Sequence, residues 1–336
     1  MNKTILFGMP SFAGMYKLIE KNLQYYGFNV INIVEDFDNW KPSLSERIYG
    51  RWRKIRYRDY SYKHSLKAKR LKYLASERIQ GVSLDYALFI NGHIYSQDFL
   101  KFISKESKHG IVNYQFDGLH RFPEIYSVID IFDRFYVFDS SDLEFPGLNI
   151  YPATNFYFDY DLHDSYEIKS DFYFIGAHMD CRVNVINNFL RYIKANKYSA
   201  DIQVCGKEVE KRTCYLDGIK LNNGFISFEE NLKRSRQSRV LVDFVIDEHS
   251  GLSFRTFEAL GYRKKLITTN VKVLNYDFYH PNNILVWDGE DFSKLNDFLE
   301  LPYYEIDIGI RQKYSFGNWI KYILNIQPHQ KISLPQ

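Results

Sequence analysis

Short apolar runs with little internal alternation, each followed by a stretch of helical spacing, restrict this chain more than any other feature. They include KTILFG at 3–8, DYALFI at 85–90, GIVNY at 110–114 and FYVF at 135–138. In the second half they continue with DFYFI at 171–175, ADIQV at 200–204, VLVDFVI at 240–246, KLIT at 265–268 and NILV at 283–286. A strand with one wet face alternates apolar and polar residues, so continuous runs indicate strands covered on both faces, as in parallel α/β sheets. Between the runs, Met15, Leu18, Ile19, Leu23 and Tyr26 recur at helical spacing, as do Val185, Ile186, Phe189, Leu190 and Ile193.

The pattern starts afresh after 155–170 (NFYFDYDLHDSYEIKS), which reads as a linker. At 336 residues the chain is long enough for two domains at about 150 residues each. The expectation is two Rossmann-like domains, 1–155 and 171–305, around a linker at 156–170. A C-terminal helix and tail at 306–336, helical over 315–326, would pack back on the first domain. GFIS at 224–227 is expected to be a strand and 228–236 a short helix. The loop from Gly8 to Gly14 lacks the GxGxxG spacing of a dinucleotide site and reads as an ordinary turn.

Charge is unevenly distributed. Residues 47–70 hold ten Lys and Arg against one Asp, a local +9 in a chain of net +3, which leaves −6 for the rest. Arg51, Trp52, Arg53, Lys54 and Arg56 lie in this segment, and basic residues mixed with aromatic ones suit an anionic surface. A solvated basic helix is the competing reading, and both stay open. Cys181, Cys205 and Cys214 form no CxxC pair, which argues against a disulfide framework or zinc site. No run approaches the roughly 18 apolar residues of a membrane span, and the N-terminus lacks a signal-peptide core. A cytoplasmic location is expected, with at most a peripheral membrane contact.

Ligands of parallel sheets bind at the carboxyl ends of strands, so the chemistry is sought there. In GLSFRTFEALGYRKKLITTN, 251–270, Gly251 and Ser253 would form the turn into a helix whose first amides suit a diphosphate. Arg255 and Glu258, three apart, share one helical face: a guanidinium for phosphate and a carboxylate for ribose or sugar hydroxyls. A surface ion pair is the alternative. In FIGAHMDCR, 174–182, Gly176 lets a ligand approach the backbone, and His178 and Arg182 could touch a phosphate; a turn capped by Asp180 is the alternative. In QFDGLHRFP, 115–123, Asp117 and His120 are candidate proton acceptors, with Asp117 favoured as general base, while His93 reads as structural. Asp159-Tyr160-Asp161 matches a DxD pattern but reads better as polar linker.

The segment 251–270, with SRVLVDFVI before it and NYDFYHPNNILVW after it, resembles the C-terminal domain of bacterial GT-B glycosyltransferases of lipopolysaccharide core and capsule assembly, and is similar to CgeB-like proteins. DYALFINGHIYSQDFL and GIVNYQFDGLHRFPEI extend the likeness over most of the chain. The resemblance implies a GT-B fold with its two domains facing across a cleft. It further implies a nucleotide-sugar donor on the C-terminal domain, a glycolipid or oligosaccharide acceptor on the N-terminal domain, and no obligatory metal or other cofactor. Glu258 matches the ribose-binding glutamate, and Arg255 and Arg182 correspond to diphosphate-binding cations. Many retaining members carry a second glutamate eight positions earlier; here that position is Ser250, with Glu248 two residues upstream. An epimerase on the same fold and a non-catalytic binding partner stay open, whereas nothing outside the basic segment suits nucleic acid.

Overall fold

The computed structural model describes residues 3–34, 41–145, 149–160, 162, 166–245 and 251–335. Glu248, Ser250 and Asp161 lie outside the described residues. By contacts the chain divides into two compact units. The first comprises Met1–Phe12, Ile19–Val137 and Phe145–Tyr151; the second comprises Ala13–Leu18, Phe138–Glu144 and Pro152–Gln336.

The first unit carries strands β1 (Lys3–Gly8), β2 (Phe28–Asn32), β3 (Tyr86–Ile90), β4 (Ile111–Gln115), β5 (Arg134–Val137) and β6 (Ile150–Pro152), in the sheet order β2-β1-β3-β4-β5-β6. The pairings from β2 through β5 are parallel. Helix α1 (Met15–Tyr25) follows β1. The basic segment forms two helices between β2 and β3, α2 (Leu44–Tyr57) and α3 (Tyr62–Ile79). Helix α4 (Gln97–Glu106) follows β3.

The second unit carries β7 (Ser170–Ala177), α5 (Val183–Ala195), β8 (Ala200–Cys205), β9 (Lys220–Asn222), α6 (Phe228–Arg236), β10 (Ser238–Asp243), α7 (Phe254–Gly261), β11 (Lys265–Thr268) and β12 (Ile284–Val286). The strand order is β12-β11-β10-β7-β8-β9, and every described pairing is parallel. Helices α8 (Leu295–Glu300), α9 (Ile308–Lys313) and α10 (Phe316–Ile323) close the chain.

The continuous apolar runs have their explanation in this sheet. Side chains alternate across a strand, so Phe172, Phe174, Val240 and Val242 enter one core with Ile186 and Phe189 of α5. Tyr173, Leu241 and Leu266 enter the opposite core with Phe257 and Leu260 of α7. Both faces are covered along the middle of these strands, so apolar residues follow one another there without alternation.

Two local expectations need correction. Residues 224–227 are not a strand; the third strand is β9, and the Ser227 hydroxyl accepts from the Glu230 amide to cap α6, which commits the preceding residues to the helix entry. The supposed linker begins as core: Phe156, Tyr157 and Phe158 are buried, and Tyr157 exchanges backbone hydrogen bonds with Tyr314 and Phe316. Helix α10 packs Trp319 against Phe156 at 4.4 Å, and Tyr322 donates to the Pro152 carbonyl at 2.9 Å. Asp159 of the DxD accepts from the Gly317 amide at 3.3 Å, at the start of that helix.

Gly261 ends α7 where the chain meets Tyr157, and a Cβ there would stand 2.1 Å from Tyr157 Cγ. Because Tyr157 is tied down through its backbone, the ring has little room to yield. Gly261→Ala is expected to destabilise the chain by about 1–3 kcal/mol in urea unfolding; an unchanged midpoint would show that the contact is soft.

Candidate active site

In the second sheet, β7 and β10 lie side by side although three crossovers separate them in sequence, so the strand order reverses between them. In doubly wound folds ligands bind at the carboxyl edge beside such a reversal. The two segments expected to carry donor chemistry, 176–182 and 251–258, follow these two strands.

After β7, Gly176 is held to a bare backbone: a Cβ would meet the Phe174 ring at 2.8 Å and Arg182 Nη1 at 3.1 Å. The half-buried Arg182 guanidinium therefore lies against the Gly176 backbone at the strand's end. His178 is placed beside them but is differently occupied from what the sequence suggested. Its Nδ1 meets the Tyr215 hydroxyl at 2.6 Å and its Nε2 meets Asp180 Oδ1 at 3.1 Å. Burial pushes the Tyr215 phenol up to about 12, so it stays protonated at neutral pH. Arg212 adds a second cation, 3.6 Å from Asp180.

After β10, Gly251 is required by close approach, since a Cβ would stand 2.5 Å from the Phe138 ring. Its amide donates to Asp139 Oδ2 at 3.1 Å and is thereby committed within the protein. Ser253 occupies the N-cap position of α7, where its carbonyl accepts from the Thr256 amide at 3.2 Å but its side chain makes no capping bond. Its hydroxyl oxygen is buried and has no hydrogen-bond partner among the described residues.

Arg255 and Glu258 do share one face of α7, as their spacing requires, but that face points inward. They are 8% and 2% exposed. Arg255 Nη1 donates to Glu258 Oε2 at 2.6 Å and to Ser235 Oγ at 2.5 Å, and its Nη2 donates to Asn231 Oδ1 at 3.0 Å. The guanidinium lies 4.9 Å from the centre of the Tyr173 ring, whose hydroxyl also donates to Asn231 Oδ1 at 3.0 Å. Asn231 Nδ2 reaches Glu258 Oε1 at 3.4 Å. The pair thus clasps α7 to α6 and β7. The expected ligand-facing pair is a buried network instead, because α6 covers the helix face that carries it.

In the first sheet the strand order reverses between β1 and β3. Asn91, directly after β3, takes a left-handed conformation with φ of 53°. Its side chain accepts from the Phe116 amide at 2.9 Å and donates to Asp117 Oδ2 at 3.0 Å. Arg121 Nη1 donates to Asp117 Oδ1 at 2.7 Å. Asp117 is therefore oriented from two sides, while His120 is exposed on the next turn. His93 stacks on Phe122 at 5.2 Å. Burial lowers its pKa, an effect opposed by Gln115, Asp117 and Glu124. Asn91, Tyr215, Arg212, Asn231 and Ser235 have no signal in the sequence, since each gains its role from a partner distant along the chain. Trp52 and its basic neighbours lie on α2, on the surface of the first unit.

Three solved structures share the architecture. Sucrose-phosphate synthase from Thermosynechococcus elongatus matches with a TM-score of 0.52 at 9% identity, covering 89% of this chain and 89% of that one. OtsA in its apo form matches with a TM-score of 0.52 at 10% identity, covering 98% and 100%. The fold is GT-B. The N-terminal domain of Candida albicans trehalose-6-phosphate phosphatase also matches, with a TM-score of 0.50 at 10% identity over 97% of each chain. No protein-family model matches the chain, and neither does any curated protein. At such identities the likeness is one of GT-B architecture, two Rossmann-like domains, and the chemistry has to be argued from the residues.

Two outcomes follow from these placements. Arg255→Met and Glu258→Leu are each expected to cost about 3–5 kcal/mol in denaturant unfolding, because each strands a buried charge, and the double variant should cost less than either. Single losses below about 1 kcal/mol would show that the pair behaves like a surface one. His93 binds its proton less readily folded than unfolded, so the unfolded chain takes up more protons once the pH falls below about 6.5. Stability should therefore decline with falling pH from there, and His93→Asn should flatten that decline below about pH 6.5. Equal slopes in urea unfolding would contradict the assignment.

Proposed function

We propose that the chain is a glycosyltransferase that moves a sugar from a nucleotide-sugar donor to a lipopolysaccharide, capsule or related glycan acceptor, acting in the cytoplasm at the inner membrane. The observation that carries this reading is the strand reversal between β7 and β10 of a GT-B fold, with Gly176 and Arg182 at the end of one strand and Ser253, at the start of α7, after the other. The positive end of the α7 dipole, a cation and a hydroxyl with no partner among the described residues together suit a diphosphate.

In this reading Arg182 pairs with phosphate oxygens and Ser253 donates its hydroxyl. His178, held by Tyr215 and Asp180, shapes the loop around them. Arg255 and Glu258 act through the position of α7, and Gly251 through the closeness of the Phe138 contact. Asp117 takes the proton from the acceptor hydroxyl as its oxygen bonds to the anomeric carbon, and the bond from that carbon to the diphosphate breaks to release the nucleoside diphosphate. The negative charge that develops on the diphosphate is where Arg182 and the helix dipole contribute most.

The test is a panel of nucleotide sugars with oligosaccharide acceptors, read by nucleoside diphosphate release. Release that depends on acceptor supports transfer. Isomerised donor without acceptor indicates an epimerase, and binding without turnover indicates a non-catalytic partner. Arg182→Ala is expected to weaken donor binding about 10- to 100-fold in calorimetry, the loss of a hydrogen bond to a charged group. Asp117→Asn should lower kcat by about 10²–10⁴ with donor affinity unchanged. Unaltered donor affinity in Arg182→Ala would remove the phosphate assignment.

A further inference from the structure

Helix α2 is a complete helix that buries none of its residues. Its ends are fixed locally. Ser43 and Glu46 form a reciprocal capping box at the start, and Arg58 closes the other end in a left-handed conformation with φ of 52°. The helix is thus specified before it meets anything. It stands on α3, which buries only Leu71, Ala75 and Ile79, all in its second half, so the pair projects from the sheet.

The two sides of α2 differ in kind. One side faces α3: the Tyr49 ring packs edge-on against Tyr62 at 5.1 Å, and Arg53 lies 5.1 Å from the centre of the same ring. Gly50 approaches Tyr62 closely enough that a Cβ would be 3.2 Å from it. Arg53 also pairs with Asp59 at 2.5 Å. The opposite side carries Leu44, Ile48, Trp52 and Ile55, at steps of four, four and three residues, which align them in a single stripe. These residues are 71%, 60%, 48% and 84% exposed. Arg47, Arg51 and Lys54 border the stripe on one flank and Arg56 on the other.

We propose that α2 is an in-plane membrane anchor. Leu44, Ile48, Trp52 and Ile55 enter the boundary between headgroups and acyl chains of an anionic phospholipid bilayer, and the flanking cations pair with its phosphates. Charge complementarity selects an anionic surface, and the aliphatic stripe selects a bilayer over a nucleic acid, because Leu44, Ile48 and Ile55 offer nothing to phosphodiesters or base edges. With 14 residues α2 is about 21 Å long, enough to lie on a bilayer and too short to span one. No helix among the described residues is long and apolar enough to cross a membrane. The inference deepens the proposed transfer to a glycolipid by naming the surface at which that acceptor is met, and it rests on that reading for its purpose only.

The test is flotation of the full chain with phosphatidylcholine vesicles and with vesicles containing phosphatidylglycerol. Binding is expected to the anionic vesicles alone and to weaken with salt. Ile55→Glu should lower the partition coefficient at least about tenfold, and Arg51→Gln or Lys54→Gln about fivefold each. Lys105→Gln, on α4, should leave it unchanged. These substitutions are at exposed positions, and unaltered thermal unfolding would confirm that the fold is intact. Three results would overturn the anchor: no partition into anionic vesicles, partition that Ile55→Glu leaves intact, or a lipid-free dimer in sedimentation that Ile55→Glu dissolves. The second would indicate a general polyanion surface, and the third a contact between copies. Vesicle binding without glycosyl transfer to a soluble acceptor would keep the anchor and drop the transferase; transfer without vesicle binding would do the reverse.

Discussion

The buried pair of Arg255 and Glu258 is the interaction on which the candidate donor site depends. A guanidinium and a carboxylate removed from water are costly unless every lone pair and proton is used. Here Ser235 and Asn231 of α6 and the ring of Tyr173 on β7 complete the set. The consequence is positional. Three elements that meet at the strand reversal are fastened at one point, and the first turn of α7 is held at the carboxyl edge of the sheet. A surface pair at the same spacing would contribute a few tenths of a kcal/mol and position nothing.

Close backbone contacts complete what that network begins. Gly251 lets α7 approach Phe138, and Gly261 lets its other end approach Tyr157. Both contacts exclude a side chain, so α7 is constrained at each end as well as through its middle. Gly176 plays the matching part after β7, where the lack of a Cβ allows Arg182 to fold against the strand end. The strand ends at the reversal are set as much by missing side chains as by charged ones. The first unit uses a different device: Asn91, left-handed after β3, bridges to the loop after β4 and orients Asp117.

Most of the architecture was legible in the sequence because it follows from composition along short windows. Unbroken apolar runs demanded two dry faces, and nine strands lie within a few residues of where those runs placed them. The site was legible only in part. Spacing showed that Arg255 and Glu258 share a face but could not show that α6, in an earlier segment of the chain, covers it. The same limit hid Tyr215 behind His178 and Asp139 behind Gly251. Residues 224–227 misled because GFIS has strand composition, whereas the capping bond of Ser227 decides its conformation. The polar residues of 159–170 mask the aromatic start of the segment, where Phe156 and Phe158 are core.

The central claim is that a nucleotide diphosphate binds the second unit at the reversal between β7 and β10. Amide hydrogen exchange with and without a saturating nucleoside diphosphate tests it most directly. Exchange should slow in two segments of that unit alone, 176–182 and the first turn of α7. Protection at neither segment, or protection only at the strand ends of the first unit, would contradict it.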